Sequence, residues 1–197
     1  MRFDSRLKGN LTEIIGVTLF EDAGYRVVPL GVEKVVREIT TLNLKEYKEL
    51  RLSKTLCSLP DFLITEADMT KAWMVEIKYR KNFKAFKTCG RLKDALGEQA
   101  EKWGDIYILL FVGEPADNLG FAGSHCGVIK ILFHNGELHF QAKNSGKLVK
   151  WINLKWTDFA RIQDIFSGIA KANHGTPVEK AVRITKALMG LDENQKT

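Results

Sequence analysis

Apolar and polar residues follow two different periods along this chain, and the period separates predicted helices from predicted strands. Over residues 5–23 apolar side chains recur every three or four positions, which indicates a helix, and Gly24 then suits the position after a helix end. Residues 91–103 show the same helical spacing. Short apolar runs with the length and composition of strands occur at 25–30, 61–65, 72–80 and 105–112. The order is helix, three strands, helix, strand, and the last two strands should be parallel because a helix connects them.

The rest of the chain adds further elements to this core. Residues 32–54 are charged with helical spacing, and we expect an excursion from the core there. Asn135-Gly136 between apolar runs predicts a β-hairpin of 128–133 with 138–141. Two helices are predicted at 157–172 and 177–189, the second starting at Pro177. We therefore expect an α/β fold with a central mixed β-sheet flanked by helices. Its core would span residues 1–112, and a C-terminal hairpin and helical extension, 113–197, would pack on the same domain.

Charged side chains occupy strand positions where apolar residues are expected. Asp61 follows Pro60 at the start of one predicted strand, and Glu76 and Lys78 lie within the next. Because side chains alternate between the two faces of a strand, Glu76 and Lys78 share a face. A carboxylate and an ammonium on so apolar a strand are costly unless they are paired or bind a metal ion.

The arrangement Pro60-Asp61, fourteen intervening residues and Glu76-Ile77-Lys78 resembles the PD-(D/E)xK nuclease superfamily. This group contains restriction endonucleases, Holliday-junction resolvases and RecB-like exonucleases. The resemblance covers about residues 5–112, including the order of the predicted elements. It implies a restriction-endonuclease-like core and an endonuclease that hydrolyses DNA to 5′-phosphate and 3′-hydroxyl ends.

The chemistry of the two acidic residues suits a hard divalent cation. Mg²⁺ prefers oxygen ligands and often takes one or two carboxylates, with water and phosphate completing its octahedron. We expect Asp61 and Glu76 to bind Mg²⁺, or Mn²⁺ in its place, with the Ile77 carbonyl as a third ligand. Lys78 would lie beside the ion. Its ammonium would orient the attacking water or stabilise charge on the phosphate, and a role as general base would require a depressed pKa.

Two residues on the predicted helices are further candidates that the resemblance supplies. Resolvase-like and RecB-like relatives often have a glutamine on the helix after the E-x-K strand, where it contacts the water, the lysine or the phosphate. Gln99 is the polar member of the core-facing stripe Leu92, Ala95, Leu96, Gln99 and Trp103. RecB-like enzymes have a tyrosine where this chain has Trp103. A glutamate on the first helix often reaches the metal, and Glu13 is the candidate here, with Glu21 as a substitute. The alternatives are a glutamine bonded to backbone and a solvated glutamate.

A basic segment follows the strand that carries Glu76 and Lys78. Lys78–Lys93 contains seven basic residues and no acid, and Tyr79, Phe83 and Phe86 are interleaved. Basic side chains neutralise phosphates, and aromatic rings stack on unpaired bases. Four of the basic residues are predicted to contact DNA: Arg80, Lys81, Lys84 and Lys87. The alternative is a solvated basic loop whose aromatic side chains belong to the core.

Composition narrows the class of partner and the compartment. The chain has 197 residues and a net charge of +6, which fits one domain and favours a polyanion such as DNA. Its three cysteines lack metal-ligand spacing and indicate reduced thiols. We find no apolar signal-peptide core and no run approaching the ~20 residues of a membrane span, so we expect a cytoplasmic protein that does not bind membranes.

Several properties stay open at this stage. Structure-guided cutting of branched DNA, cutting directed by a partner protein, and sequence reading by a homodimeric restriction enzyme all fit the motif. RNA is a further possible substrate. A protein of a different class also fits, namely a non-catalytic nucleic-acid-binding module that keeps the fold. A further alternative is a nuclease subunit of a larger DNA-processing complex.

Overall fold

The centre of the molecule is an open seven-stranded sheet whose strands lie in chain order. The computed structural model describes residues 3–31, 49, 52–117, 121–143, 145–170 and 177–188. The strands are β1 (Arg26–Pro29), β2 (Phe62–Thr65), β3 (Ala72–Arg80), β4 (Ile106–Val112), β5 (Cys126–His134), β6 (Glu137–Gln141) and β7 (Leu148–Lys150). Among these described strands, β3 and β4 run parallel, and every other neighbouring pair is antiparallel. The predicted α/β class and mixed sheet are therefore confirmed.

Helices cover both faces of this sheet. They are α1 (Phe3–Asp22), α2 (Lys54–Cys57), α3 (Phe83–Lys87), α4 (Gly90–Trp103), α5 (Phe121–His125), α6 (Ile162–Ile165), α7 (Ser167–Ala170) and α8 (Pro177–Leu188), with 3₁₀ turns at Trp151–Asn153 and Trp156–Asp158. Glycines with positive φ end the two predicted core helices, Gly24 after α1 at +85° and Gly104 after α4 at +77°. A side chain would strain the backbone at either position. The helix predicted over 32–54 falls mainly outside the described residues.

Strand β4 is the central strand of the core. Its side chains alternate between two apolar clusters, with Leu109 and Phe111 in one and Ile108 and Leu110 in the other. A strand buried on both faces has a continuous apolar sequence, and residues 106–112 have such a sequence. The connection from β3 to β4 runs through α3 and α4, as the parallel pairing requires.

The C-terminal strands extend the same sheet. Asn135 and Gly136 both have positive φ, 50° and 77°, and form the predicted hairpin turn between β5 and β6. Helix α8 packs against α1 and contributes Val178 and Val182 to the cluster that contains Phe20 of α1. No helix within the described ranges has the length and apolarity needed to cross a bilayer.

The single helix predicted over 157–172 is wrong. Ala160 instead pairs with Val128 of β5 in both directions, its N–H at 2.8 Å and its carbonyl at 2.9 Å from the Val128 backbone partners. This pairing needs extended backbone, so the segment is a 3₁₀ turn, a bridge and the short helices α6 and α7. Phe159 packs in one apolar cluster and Ile162 in the other. The apolar spacing of this segment therefore arises because the chain passes from one face of the sheet to the other.

Candidate functional site

The candidate site lies where the ladder between β2 and β3 ends. Phe62 with Val75 is the last backbone pair at this end. Immediately beyond it, side chains replace the ladder: the Asp61 N–H donates to Glu76 Oε2 at 3.1 Å, and the Ile77 N–H donates to Asp61 Oδ2 at 2.8 Å. Each carboxylate thus satisfies a backbone donor of the opposite segment, which would otherwise lack a partner. We call this place the fork.

Lys78 joins the two carboxylates. It lies on the same face of β3 as Glu76, as strand alternation predicts, and its Nζ forms an ion pair with Glu76 Oε1. The same Nζ lies 3.5 Å from Asp61 Oδ2. The side chains of Asp61 and Lys78 are 19% and 22% exposed, whereas that of Glu76 is 7% exposed. The fork therefore brings two acids and one base together at a place that solvent still reaches.

The electrostatics of the fork favour retention of protons. Burial raises the pKa of the Glu76 carboxyl, the attraction of Lys78 opposes this, and the charge of Asp61 raises it again. Burial by itself would lower the pKa of Lys78, but the attraction of Glu76 and Asp61 outweighs it and leaves that pKa raised. The Glu76 shift thus arises first from burial, and the Lys78 shift arises from the two nearby carboxylates. Lys78 is therefore a cation at neutral pH, and a further cation bound at the fork would favour the ionised form of Glu76.

Gln99 contacts the fork from α4. It is buried, and its Nε2 donates to Glu76 Oε2 at 3.0 Å and to the Leu59 carbonyl at 3.4 Å. The sequence-based prediction named the lysine as one partner of this amide, and the structure places it on the carboxylate instead. Gln99 Oε1 is a buried polar atom without a hydrogen-bond partner in the described part of the chain.

Glu13 lies on α1, which packs on the face of β3 opposite to the face that carries Glu76 and Lys78. The helix approaches closely at Gly16, where an added Cβ would lie 2.5 Å from Ile77 Cδ1. Glu13 is half-buried one turn earlier, and its charge is among the causes that raise the pKa of Lys78. Glu21, the substitute considered from the sequence, is exposed near the end of α1.

The fork fits a metal ion that uses few protein ligands. No group of three or more His, Cys, Asp or Glu side chains placed to hold a metal ion occurs among the described residues. Asp61 and Glu76 supply two carboxylates at the fork, and the role of Glu13 as a further ligand stays a prediction. The Ile77 N–H points at Asp61, and the N–H and C=O of one strand residue face the same neighbouring strand, so the Ile77 carbonyl faces the fork too. This set of oxygen donors has the chemistry that Mg²⁺ accepts.

The first three basic residues after the fork differ in their contacts. Arg80 ends β3 on the face of Lys78, and its Nη1 donates to the Tyr79 carbonyl at 2.7 Å. Lys81 forms an exposed ion pair of 3.2 Å with Glu114. Lys84 is exposed on α3. Of the three, Arg80 shares the face of β3 that carries Lys78.

Lys87 lies elsewhere. Its Nζ donates to the Ile152 carbonyl at 3.1 Å, and its own carbonyl accepts the Trp151 indole N–H at 2.8 Å. Trp151 packs on Phe140 of β6. These contacts direct the Lys87 side chain toward the 3₁₀ turn Trp151–Asn153. Its contacts anchor α3 to the C-terminal region.

The aromatic residues of the basic segment belong to the core. Phe86 is fully buried, and its ring packs against Trp151 and Phe159. Phe83 contacts Trp156 and Phe159 edge to face. The stacking role on unpaired bases is therefore wrong for Phe86, whose ring is buried, while Phe83 is half-buried against the C-terminal segment.

Ser58, three residues before Asp61, has no recognisable role in the sequence pattern and acquires one in the structure. Its hydroxyl accepts the Trp103 indole N–H at 3.3 Å. The signal in the sequence was the position of Trp103 on the same helical stripe as Gln99. The stripe does not identify the partner, because Ser58 lies on a separate element.

No protein-family model, curated protein or solved structure matches this chain.

Proposed function

We propose that this protein is a Mg²⁺-dependent DNA endonuclease with a restriction-endonuclease-like core of the PD-(D/E)xK type. The convergence of Asp61, Glu76 and Lys78 in the fork is the observation that carries the proposal. Binding of nucleic acid does not by itself require two partly buried carboxylates around one lysine. Phosphodiester hydrolysis does use such a set, because it needs an ion site and a fixed positive charge together.

Each residue of the fork then has a defined task. Asp61, Glu76 and the Ile77 carbonyl would hold Mg²⁺ or Mn²⁺, which lowers the pKa of bound water and neutralises charge on the phosphate. Lys78 stays protonated, so it positions the attacking water and stabilises charge that develops on the phosphate. Gln99 fixes the orientation of Glu76 through its amide hydrogen bond.

Two further features support the proposed substrate and compartment. Arg80, Lys81 and Lys84 provide phosphate contacts for DNA beside the fork, and Lys87 extends this surface only if the nucleic acid crosses α3. The ends formed would be 5′-phosphate and 3′-hydroxyl. No disulfide bond joins the described cysteines, which supports action in a reducing compartment such as the cytoplasm.

One observation favours a non-catalytic nucleic-acid-binding module as the second candidate. The Lys78 ammonium lies between the carboxylates and already compensates part of their charge without a metal ion. A module of this kind would bind DNA, alone or as a subunit of a larger complex, and would leave it uncut.

Cleavage assays separate the two candidates. Linear, nicked, single-stranded and branched DNA, and RNA, are each incubated with the protein and Mg²⁺ or Mn²⁺. We expect at least one DNA form to be cut, and Asp61→Asn, Glu76→Gln and Lys78→Ala to abolish cutting. The Lys78 variant should still bind the same DNA in Ca²⁺.

Asp105→Asn is the matched control, because Asp105 also pairs with a lysine, Lys130 at 2.5 Å, outside the fork. It should cut at the wild-type rate. Undiminished cutting by any of the three fork variants would exclude the fork as the active site. Binding of DNA with no cutting by the wild type would favour the binding module.

A further inference from the structure

Asp61 is carried by a connecting segment and not by a strand. Residues 58–61 link α2 to β2, and Asp61 directly precedes the first residue of β2. Its position therefore depends on the contacts that anchor this segment at both ends. On the sheet side, the Asp61 carbonyl accepts the Leu30 N–H at 3.0 Å, and its carboxylate accepts the Ile77 N–H.

Helix α4 anchors the other end of the segment through two side chains one turn apart. Gln99 Nε2 donates to the Leu59 carbonyl at 3.4 Å, and Trp103 Nε1 donates to Ser58 Oγ at 3.3 Å. Both bonds are long, and the Gln99 amide also makes a shorter bond to Glu76. Trp103, by contrast, directs its single N–H donor to this segment.

The Ser58 hydroxyl makes two hydrogen bonds and is shielded from solvent. It is 6% exposed, donates to the Thr55 carbonyl at 3.0 Å and accepts from Trp103. Since water has little access, loss of the indole N–H leaves the hydroxyl without its donor. The hydrogen bond therefore resists movement of the segment away from α4.

We propose that Trp103 is a positioning residue that holds the Asp61 carboxylate in the fork by binding Ser58. The proposal rests on the proposed function, in which Asp61 is a ligand of a divalent ion. Partners that orient a ligand from outside its coordination shell typically change metal affinity about 10–100-fold when they are removed. We expect loss of the Trp103–Ser58 bond to have an effect in this range.

Two variants remove the bond from opposite sides. Trp103→Phe keeps an aromatic ring and loses the N–H, whereas Ser58→Ala removes the acceptor. Trp151→Phe is the matched control, because its indole N–H donates at 2.8 Å to the Lys87 carbonyl, which belongs to α3 and not to the segment of Asp61. If one bond carries the effect, the double variant at 58 and 103 should be no worse than either single variant.

The first measurement needs no metal ion. Hydrogen exchange of the Ile77 amide reports the docking of Asp61 directly, since that N–H donates to Asp61 Oδ2. We expect faster exchange at Ile77 in Trp103→Phe and Ser58→Ala, and wild-type exchange in Trp151→Phe. The second measurement is Mn²⁺ affinity by calorimetry, which should fall about 10–100-fold in the first two variants only.

These readouts distinguish failure of the inference from failure of the proposed function. Unchanged Ile77 exchange in both variants overturns the positioning role, and so does faster exchange with unchanged Mn²⁺ affinity. A wild-type protein that binds no Mn²⁺ overturns the ion site, while the exchange data still decide whether Trp103 holds Asp61. If Trp103→Phe does not fold, Ser58→Ala decides the same question alone.

Discussion

At the scale of single residues, Lys78 balances the charge of the fork. Lys78→Met keeps the length of the side chain but leaves Asp61 and Glu76 facing each other without the ammonium. Removing one partner of a fully buried pair costs about 3–5 kcal/mol, and we expect about 2–3 kcal/mol here because Asp61 and Lys78 are partly exposed. Urea unfolding measures the loss. Mg²⁺ should recover part of it in this variant, since a bound ion stabilises the folded state.

The control for this prediction is Lys130→Met. Lys130 pairs with Asp105, whose side chain is 59% exposed, so its removal should cost less than about 1 kcal/mol and give no response to Mg²⁺. A Lys78→Met protein as stable as the wild type would show that the fork does not need its ammonium.

Gln99 also acts at the residue scale, through Glu76. Gln99→Ala removes the amide donor and should slow cleavage about 10–100-fold without abolishing it, because no ligand is lost. Gln99→Glu should be worse, since it places a third carboxylate against Glu76 at nearly the same volume. Single-turnover rates at saturating Mg²⁺ test both. Wild-type rates in both variants would assign Gln99 to packing alone.

At the scale of elements, the contact between α1 and β3 depends on Gly16. Alanine at this position would place its Cβ 2.5 Å from Ile77 Cδ1, although the next atoms of Ile77 lie at an ordinary 3.6 Å. Overpacking costs about 1–3 kcal/mol, whereas alanine in a helix interior gains about 1 kcal/mol over glycine. We therefore expect Gly16→Ala to destabilise the protein.

In an Ile77→Val background, Gly16→Ala should instead stabilise the protein. Valine lacks the Cδ1 methyl group, so the helix propensity of alanine remains and the clash is gone. Denaturant unfolding of the four proteins of this cycle gives the coupling energy. Equal effects of Gly16→Ala in the two backgrounds would mean that α1 shifts freely over β3.

A second prediction at this scale concerns the basic side chains that follow the fork along the chain. Arg80→Ala with Lys84→Ala should flatten the salt dependence of duplex binding by up to about 0.9 in log–log slope for each phosphate contact that is removed. Single-turnover cleavage at saturating protein should change much less. Lys180→Ala, an exposed lysine on α8, is the control and should leave the slope unchanged. If Lys87→Ala alters the slope as much as the first pair, the nucleic acid path crosses α3 toward β6.

At the scale of the whole molecule, His125 makes stability depend on pH. It is buried at the junction of α5 and β5, and its Nδ1 lies 2.9 Å from the Val112 carbonyl at the end of β4. Burial lowers the pKa of His125, and Lys186 of α8 lowers it further, against the effect of the Val112 hydrogen bond. The unfolded chain therefore binds a proton near pH 6.5 that the folded protein rejects.

Acid should therefore destabilise the folded protein through His125. The stability linked to this histidine is complete above about pH 6.5 and is lost as the pH falls through the lowered folded pKa. His125→Gln should lose less stability than the wild type between about pH 7.5 and pH 5, as measured by urea unfolding at each pH. An equal loss in both proteins would place the acid sensitivity at other groups.

The sequence by itself determined the features that depend on local geometry. Alternation along β3 placed Glu76 and Lys78 on one face, and Gly24 marked the end of α1. These features depend on residues within a few positions of each other, where strand period and backbone conformation dominate. Asn135-Gly136 defined its hairpin for the same reason.

Tertiary structure decided the contacts between distant elements. Gln99 donates to a carboxylate 23 residues away, and Lys87 donates to a carbonyl 65 residues away, so the helical pattern of each segment could not name its partner. The break at Ala160 likewise arose from pairing with Val128, which outweighed a helical apolar pattern. Local propensity differs by tenths of a kcal/mol per residue, and backbone pairing together with burial of large side chains contributes more than that.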